Sequence, residues 1–531
     1  MSDKTSQYVG VLNEVSSPPF VLQDVEGFPV SEYSRLLTKY TEAGNWYSGT
    51  ALDETKVRDG KTVEIYPVKI NPIKAGVQKH TFALFGEVEE DDRPMVSPKV
   101  VFHDDAQKKL AEEAEDALLQ MWFESNGRAI QWENGALSQV YGGCVFKLDY
   151  DPNDPLSNSP VKVSNPHPKY FVGRPDSSDM FRLREAWIVR PISLEEAIEN
   201  GYSPTNDPLG EDQVPWLIEH WTNSEYKAQV NDQPVKRQTA DGEWRGVSGA
   251  NPYGFVPVQY IPHIRVEGFY GENFFDVVKG VIKELNLRVA DYGDAVNVDS
   301  HSYMGMKHVT GAADVVRLAP GLNAINLPSM PGITGNEASP DLWELRKASA
   351  SEAMGKLTEA LYDQYRRDAF VPKVSDGEDE GSQRSGLTLA MRMLSLLWHT
   401  QSERVFWTAA LNNINRMALR MLAIKEPRKT GITIKHATLR IKQDWSPVLP
   451  RDREMLVNEV VARAGVKLGS PETLLEILGD VQDVDDEIKR IIEFAKLVAK
   501  AESSGVQPAQ TGRKQVSPSS PTSGQSSKPN E

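Results

Sequence analysis

The 531-residue sequence holds one cysteine, Cys144, so an intrachain disulfide framework is excluded; a reducing compartment suits such usage. It has no run of eighteen or more apolar residues, the length that a membrane-spanning helix needs, and its mean hydropathy is −0.46. The opening MSDKTSQYVGVLNEVSS lacks the basic-then-apolar order of a secretory leader, and none is expected. Positive charge is in short supply: 59 Lys and Arg stand against 75 Asp and Glu, a formal net charge of −16. A protein that grips DNA by neutralising phosphates carries a basic face, so tight non-specific DNA binding is disfavoured. Like charge on both partners would instead prevent sticking. Apolar residues make up 39%, enough for a sizeable core, and the length allows two to four domains.

Sites for chemistry are also scarce. The nine histidines are His80, His103, His167, His220, His263, His301, His308, His399 and His436, and no two form an HExxH pair. His301 and His308 in HSYMGMKH lack a cysteine or a carboxylate cluster at ligand spacing, and read as ordinary polar residues. Gly355-Lys356 is followed by Leu357, where a phosphate-binding loop needs Ser or Thr. No G-x-S-x-G elbow occurs. Glu112, Glu113, Glu115 and Asp116 read as a solvated helix face. Cys144, behind two glycines, reads as a small buried hydrophobe rather than a nucleophile. The sequence therefore offers no catalytic residue, no metal site and no cofactor.

What is present is a patterned α+β chain. Residues 1 to about 30 carry little periodicity. Helical spacing then marks 30–47, 106–127 and 128–141. KTVEIYPVKINPIK and HTFALFGEV read as strands, as do GGCVFKLDYD, PVKVSNPHPKYFVGRP, REAWIVRPI, PWLIEHWTN, QVNDQPVKRQTA and VPVQYIPHI. Residues 273–299 form one amphipathic helix with the apolar row Phe274, Val278, Val281, Leu285, Val289, Tyr292 and Val296. A small β-element follows. Ser339-Pro340 signals the start of a helix over 341–368. The longest helix is predicted over 386–424, nearly forty residues and about 57 Å, with Leu387, Leu394, Leu397, Trp398, Val405, Leu411, Ile414, Ala418 and Met421 as its apolar positions. GITIKHATLRIKQDW holds a short strand, and 452–502 is helical again, with a start at Ser470-Pro471. The last segment is Ser, Pro, Gln and Gly with no core-forming residues, and should be disordered.

The stretch VPKVSDGEDEGSQRSG separates two helical patterns with almost nothing apolar. This order of elements resembles the portal protein, or head-to-tail connector, of tailed double-stranded DNA bacteriophages. NFFDVVKGVIKELNLRVADYGDAV is similar to that family's descending stem helix, 301–340 to its clip, and DLWELRKASASEAMGKLTEALYDQYRRDAF to its returning stem helix. LTLAMRMLSLLWHTQSERVFWTAALNNINRMALRML is similar to its long wing helix, and LGSPETLLEILGDVQDVDDEIKRI to its helical crown.

The resemblance implies a portal-like α+β fold. Its parts would be an N-terminal arm (1–30), an α+β wing (31–265), a stem helix (266–300), a small α/β clip (301–340) and a returning stem helix (341–370). A tunnel loop (371–386), the long wing helix with strands (387–450), a helical crown (451–505) and a disordered tail (506–531) would complete it. The resemblance further implies a ring of about twelve copies at one capsid vertex of the virion, assembled in the host cytoplasm. The ring would be a conduit for packaging and ejecting double-stranded DNA, and would not be an enzyme. Its expected partners are the terminase large subunit, the major capsid or scaffold protein and head-completion (adaptor) proteins, with no membrane. Lys373, Asp376, Glu378, Asp379, Glu380 and Arg384 would face the DNA channel. Two other readings stay open: another head or connector structural protein, and an enzyme with an unrecognised site.

Overall fold

The computed structural model describes residues 22, 25–58, 61–65, 68–86, 93–102, 104–204, 214–238, 243–299, 302–307, 315–319, 322–327, 341–344, 351–373, 391–448, 453–466, 468–478 and 484–503. The chain divides into two compact units at Pro450/Arg451. Within the described residues, no helix is long and apolar enough to cross a membrane.

The first unit opens with helix α1 (Val30–Ser48), a small hairpin of β1 (Thr55–Arg58) and β2 (Lys61–Glu64), and α2 (Ile73–Phe85). Strand β3 (Val96–Val101) leads into α3 (Asp105–Glu124) and α4 (Gly127–Tyr141). Asp104 caps α3 by accepting from the Gln107 backbone N–H. Strands follow: β4 (Gly143–Tyr150), β5 (Val161–Ser164), β6 (Phe171–Pro175) and β7 (Leu183–Pro191). After short helix α5 (Leu194–Glu199) come β8 (Trp216–Thr222), β9 (Glu225–Val230), β10 (Gln233–Pro234), β11 (Lys236–Gln238), β12 (Trp244–Gly246), β13 (Gly249–Ala250) and β14 (Val258–Pro262). One antiparallel sheet runs β10-β9-β8-β7-β6, with β13 on β9; a second runs β14-β4-β5.

Helix α6 (Lys279–Asp299) follows a single 3₁₀ turn at Asp276–Val278. Beyond it lies a four-stranded sheet of β15 (Ser302–Lys307), β16 (Val315–Ala319), β17 (Leu322–Leu327) and β18 (Asp341–Glu344), ordered β16-β17-β15-β18. The β15–β17 pair is parallel and the other two are antiparallel. Helix α7 (Ser351–Asp368) packs against α6. Helix α8 (Leu394–Lys425) then leads to β19 (Arg440–Trp445), which pairs with β3. The second unit holds α9 (Arg453–Gly465), α10 (Pro471–Leu478) and α11 (Val484–Ser503). Ser470 caps α10 through the Thr473 backbone N–H.

The main core is built around α8. Its Trp407, Ala410, Leu411, Ile414, Ala418, Leu419, Met421 and Leu422 pack on Leu118, Met121 and Trp122 of α3 and on Cys144, Phe146 and Leu148 of β4. Cys144 is fully buried, as its apolar setting predicts. Among the polar bonds in this core, one joins two helices by their side chains: Trp122 Nε1 donates to Asn415 Oδ1 at 2.8 Å. A second cluster joins the base of the α6–α7 pair (Phe275, Val278, Ile282, Tyr365, Ala369, Val371) to Trp46, Ile73 and Val77.

Several expectations are corrected. HTFALF is not a strand but the end of α2; Ile73, Val77, His80, Thr81, Ala83, Leu84 and Phe85 are all buried. Its exposed side is Lys74, Ala75, Gln78 and Phe82, and a short run such as TFALF does not by itself separate helix from strand. Asp341–Glu344 is a strand paired with β15, so α7 begins ten residues later than Ser339-Pro340 suggested. Tertiary pairing overrode the local start signal. Helix α8 has 32 residues rather than nearly forty, starting at Leu394; Leu387 is outside the described residues. Leu394, Trp398 and Val405 are exposed, and this half of α8 buries Leu396, His399, Thr400, Glu403 and Trp407. The acidic face of α3 is not wholly solvated: Glu115 accepts from the Val100 backbone N–H and Glu113 from His436 Nε2. Leu22 and Phe28, assigned to a loose arm, are buried against Tyr33, Trp187 and Trp216. The tail 506–531 lies outside the described residues.

The Trp122–Asn415 bond gives a test. Trp122→Phe keeps most of the apolar volume but leaves Asn415 Oδ1 buried without a donor, at a cost of about 1–3 kcal/mol beyond lost packing. Trp398→Ser, at an exposed position, should change the stability of an isolated chain by less than about 0.5 kcal/mol. Urea midpoints of the two variants at one assembly state check both values.

Candidate functional site

The helix pair α6–α7 meets the rest of the unit where the chain leaves α7 at 369–373 and returns at 391. Phe370 sits there with φ of 54°, an uncommon backbone state for a bulky residue. Its ring stacks on His399 of α8, with centroids 4.8 Å apart and planes at 19°. Val371 is buried, and its N–H donates to the Arg366 carbonyl. Lys373, the one predicted channel residue that is described, is half exposed and lies 2.8 Å from Asp363. The hydrogen bond from Lys373 holds the Asp363 carboxyl below the usual range. Asp376, Glu378, Asp379, Glu380 and Arg384 lie outside the described residues.

Behind Phe370 is a buried polar cluster that the sequence gave no reason to assemble. Glu403 of α8 is its centre. Its Oε1 accepts from His263 Nε2 at 2.6 Å, and Gln139 Nε2 of α4 reaches Oε1 at 3.1 Å and Oε2 at 3.0 Å. His263 Nδ1 lies 2.8 Å from the Glu272 carbonyl. A carbonyl and a carboxylate only accept, so both His263 nitrogens carry protons and the ring is an imidazolium. The directions of the shifts agree. Burial acts to lower the His263 pKa, but the Glu403 carboxylate outweighs it and raises it. Burial acts to raise Glu403, and the His263 charge and hydrogen bond hold it far below the usual carboxylate range.

His263 is presented by local closure. It follows β14 directly, and the 264–272 loop folds back so that the Glu272 N–H donates to the Ile264 carbonyl. Gly142, at φ of 77°, ends α4 beside this loop; a Cβ there would lie 2.5 Å from the Gly271 carbonyl oxygen. Its own carbonyl accepts from the His263 N–H. This close approach explains the first glycine of YGGC.

Two further histidines complete the cluster. His399 Nε2 is 2.9 Å from Glu403 Oε1, but off the line that a hydrogen bond requires. His80 Nε2 lies 2.8 Å from the Ala369 carbonyl, and its ring is 4.9 Å from that of His399. Burial, with His399 nearby, pushes the His80 pKa down to about 3. His80, His399 and Glu403 offer ligand atoms within 4.8 Å of one another, the one group among the described residues with metal-ligand character. Next to Glu403, Arg404 donates to the Leu84 and Ser446 carbonyls and lies over the Trp445 ring; burial lowers its pKa to about 10.

The sequence signal for this cluster was thin. Only His399 and Glu403, four apart on one helix face, stand at a telling spacing; Gln139, His263 and His80 come from distant elements. The buried ion pair has a measurable signature. Glu403→Gln leaves the His263 charge without its partner and should cost about 3–5 kcal/mol. Glu403→Gln with His263→Gln should cost less than the sum of the two single changes, by a coupling of about 0.5–3 kcal/mol. Denaturant unfolding of all four proteins in chelator-containing buffer measures that coupling.

Among the described residues, no nucleophile is set against a general base in an open cleft. The geometry contains a helix pair, a small sheet at one end of that pair, and a polar clamp at the departure point of an acidic segment. Among known proteins, no curated one matches the chain. The family model described as phage portal protein, SPP1 Gp6-like, matches residues 217–499, a little over half the chain, running from β8 through α6, the four-stranded sheet, α7 and α8 into α11. The chain belongs to this family of phage portal proteins.

Proposed function

We propose that the chain assembles as a closed ring of about twelve copies at one vertex of the phage capsid, and that double-stranded DNA passes along the ring axis. The family match over 217–499 carries this reading. In it, α6 and α7 are the stem, and the clip runs to Glu344 rather than to 340. Residues 31–265 with 387–450 are the wing, 451–505 the crown, and the segment after Lys373 the tunnel loop. The ring is a structural conduit without an active site. It docks the terminase large subunit, the capsid or scaffold protein and the head-completion proteins at its different levels.

Unpartnered apolar surface supports assembly. Along α6, burial is complete at Ile282 and Leu285 but fades toward Val296, which is 43% exposed. On α8, Trp398 and Val405 are exposed at 67% and 61%. A row that starts buried and continues apolar into solvent is suited to a neighbouring copy, and a head-to-tail contact closes into a ring when its rotation closes. The acidic loop fits the axis: with Asp376, Glu378, Asp379 and Glu380 it repels phosphate, and with few apolar residues it has nothing to bury.

Mass photometry of the purified chain at micromolar concentration, in several salts, should show rings; a monodisperse monomer throughout would overturn the assembly. The loop is tested separately. Deleting Ser375 to Ser382 should shift ring stability by only about 1 kcal/mol, yet weaken DNA packaging or retention. Replacing the four acids by Lys should make DNA stick in a salt-dependent way, because each cation near a phosphate releases condensed counterions. Normal filling of heads by both variants, with the cognate terminase in vitro, would remove the loop from the channel.

A further inference from the structure

We propose that His80, His399 and Glu403 form a binding site for one divalent transition-metal ion of the zinc class, set where the acidic loop leaves and rejoins the fold. All three residues are buried, with exposures of 1%, 7% and 1%. His399 and Glu403 lie one turn apart on α8, and His80 faces them from α2. The proposal is independent of ring formation and of DNA passage.

The tautomer of His80 supplies the first argument. The Ala369 carbonyl only accepts, so His80 Nε2 carries the proton and Nδ1 carries a lone pair. That Nδ1 is buried and has no hydrogen-bond partner. An imidazole that donates one N–H to a backbone carbonyl and offers its other nitrogen bare is arranged as metal-bound histidines are. The second argument comes from His399. Its Nε2 is close to Glu403 Oε1 but misdirected, and makes no hydrogen bond. A network of protons alone satisfies His263 and Glu403 but leaves both of these nitrogens unpaired in the interior, at about 1–3 kcal/mol each. A single cation accepts both lone pairs.

Glu403 is the third ligand. Gln139 and His263 fix its orientation, and Oε2 accepts from Gln139 alone, which leaves it a lone pair. His263 is not a ligand, because both of its nitrogens are committed as donors. Two imidazoles and one carboxylate favour zinc, cobalt, nickel or iron over magnesium or calcium. Three protein ligands leave a fourth position open; Gln139, whose Nε2 donates to Glu403, has its Oε1 buried and without a partner. The ligand atoms lie within 4.8 Å of one another, and a tetrahedral site with zinc-like bonds sets them about 3.4 Å apart, so small side-chain shifts suffice. The ion would join His80, which holds the Ala369 carbonyl at the start of the loop, to α8 just beyond its end.

The test uses the full chain without a histidine tag, stripped with chelator and then dialysed against buffered zinc. Elemental analysis should find about one zinc per chain, and the melting temperature should rise with zinc and fall again with chelator. Cobalt(II) in place of zinc should give the absorption bands of a nitrogen- and oxygen-ligated tetrahedral site. His80→Phe, which keeps a ring in the cavity, should stay folded by circular dichroism and lose the zinc. His301→Asn with His308→Asn should keep it. A wild-type chain that retains no zinc and shows no melting shift overturns the proposal. So does a folded His80→Phe variant that binds as the wild type does, or loss of zinc in the His301/His308 variant.

Discussion

The buried ion pair of the Glu403 carboxylate and the His263 imidazolium ties together, with fixed polar geometry, segments that also meet through the main apolar core. Glu403 belongs to the helix that organises the main core. His263 belongs to the segment that leads from the strand-rich region into α6. Gln139 ties in α4, and through His399 and His80 the contact extends to α2 and to the last residues of α7. Buried charge is costly unless fully paired and hydrogen-bonded. Here the carboxylate has donors on both oxygens and the imidazolium has an acceptor at each nitrogen, so the pair fixes one arrangement of five segments.

The fold was legible where an element has one buried face. Helices α1, α3 and α4 and most strands of the two larger sheets follow the apolar spacing within a few residues. It was not legible where burial is two-sided or polar. Helix α2 exposes Lys74, Ala75, Gln78 and Phe82 along one side, and its short end HTFALF, taken alone, reads as a strand. The first half of α8 buries His399, Thr400 and Glu403 and exposes Trp398 and Val405, so a hydrophobicity rule assigns its faces the wrong way round. That inversion has a physical reason: Glu403 on the polar face is paired internally with His263 and Gln139, so charge rather than hydrophobicity marks the buried side. The four-stranded sheet was readable as a small β-element, but the pairing of Asp341–Glu344 with β15 depends on a partner nearly forty residues away.

The candidate site was legible only as a gap. The acidic segment after Lys373 stands out because it has nothing to bury, and the order of elements around it gave the family. The clamp at its base is made of residues with no shared motif. Their meeting is a property of the tertiary fold, built from a glycine-permitted close approach at Gly142 and a strained residue at Phe370.

The small sheet beyond α6 has a mechanical consequence. Strand β15 follows α6 within three residues, and β18 precedes α7 by six; the two strands pair from Met304↔Glu344 to Lys307↔Asp341. The helices are thus joined at their far end by a hydrogen-bonded ladder and at their near end by the cluster of Phe275, Val278, Tyr365 and Ala369. Two rods pinned at both ends cannot slide past one another without breaking one of the pins. Over the ~30 Å length of α6, a pair held at both ends resists shear in the way of a strut and does not open in the way of a scissor.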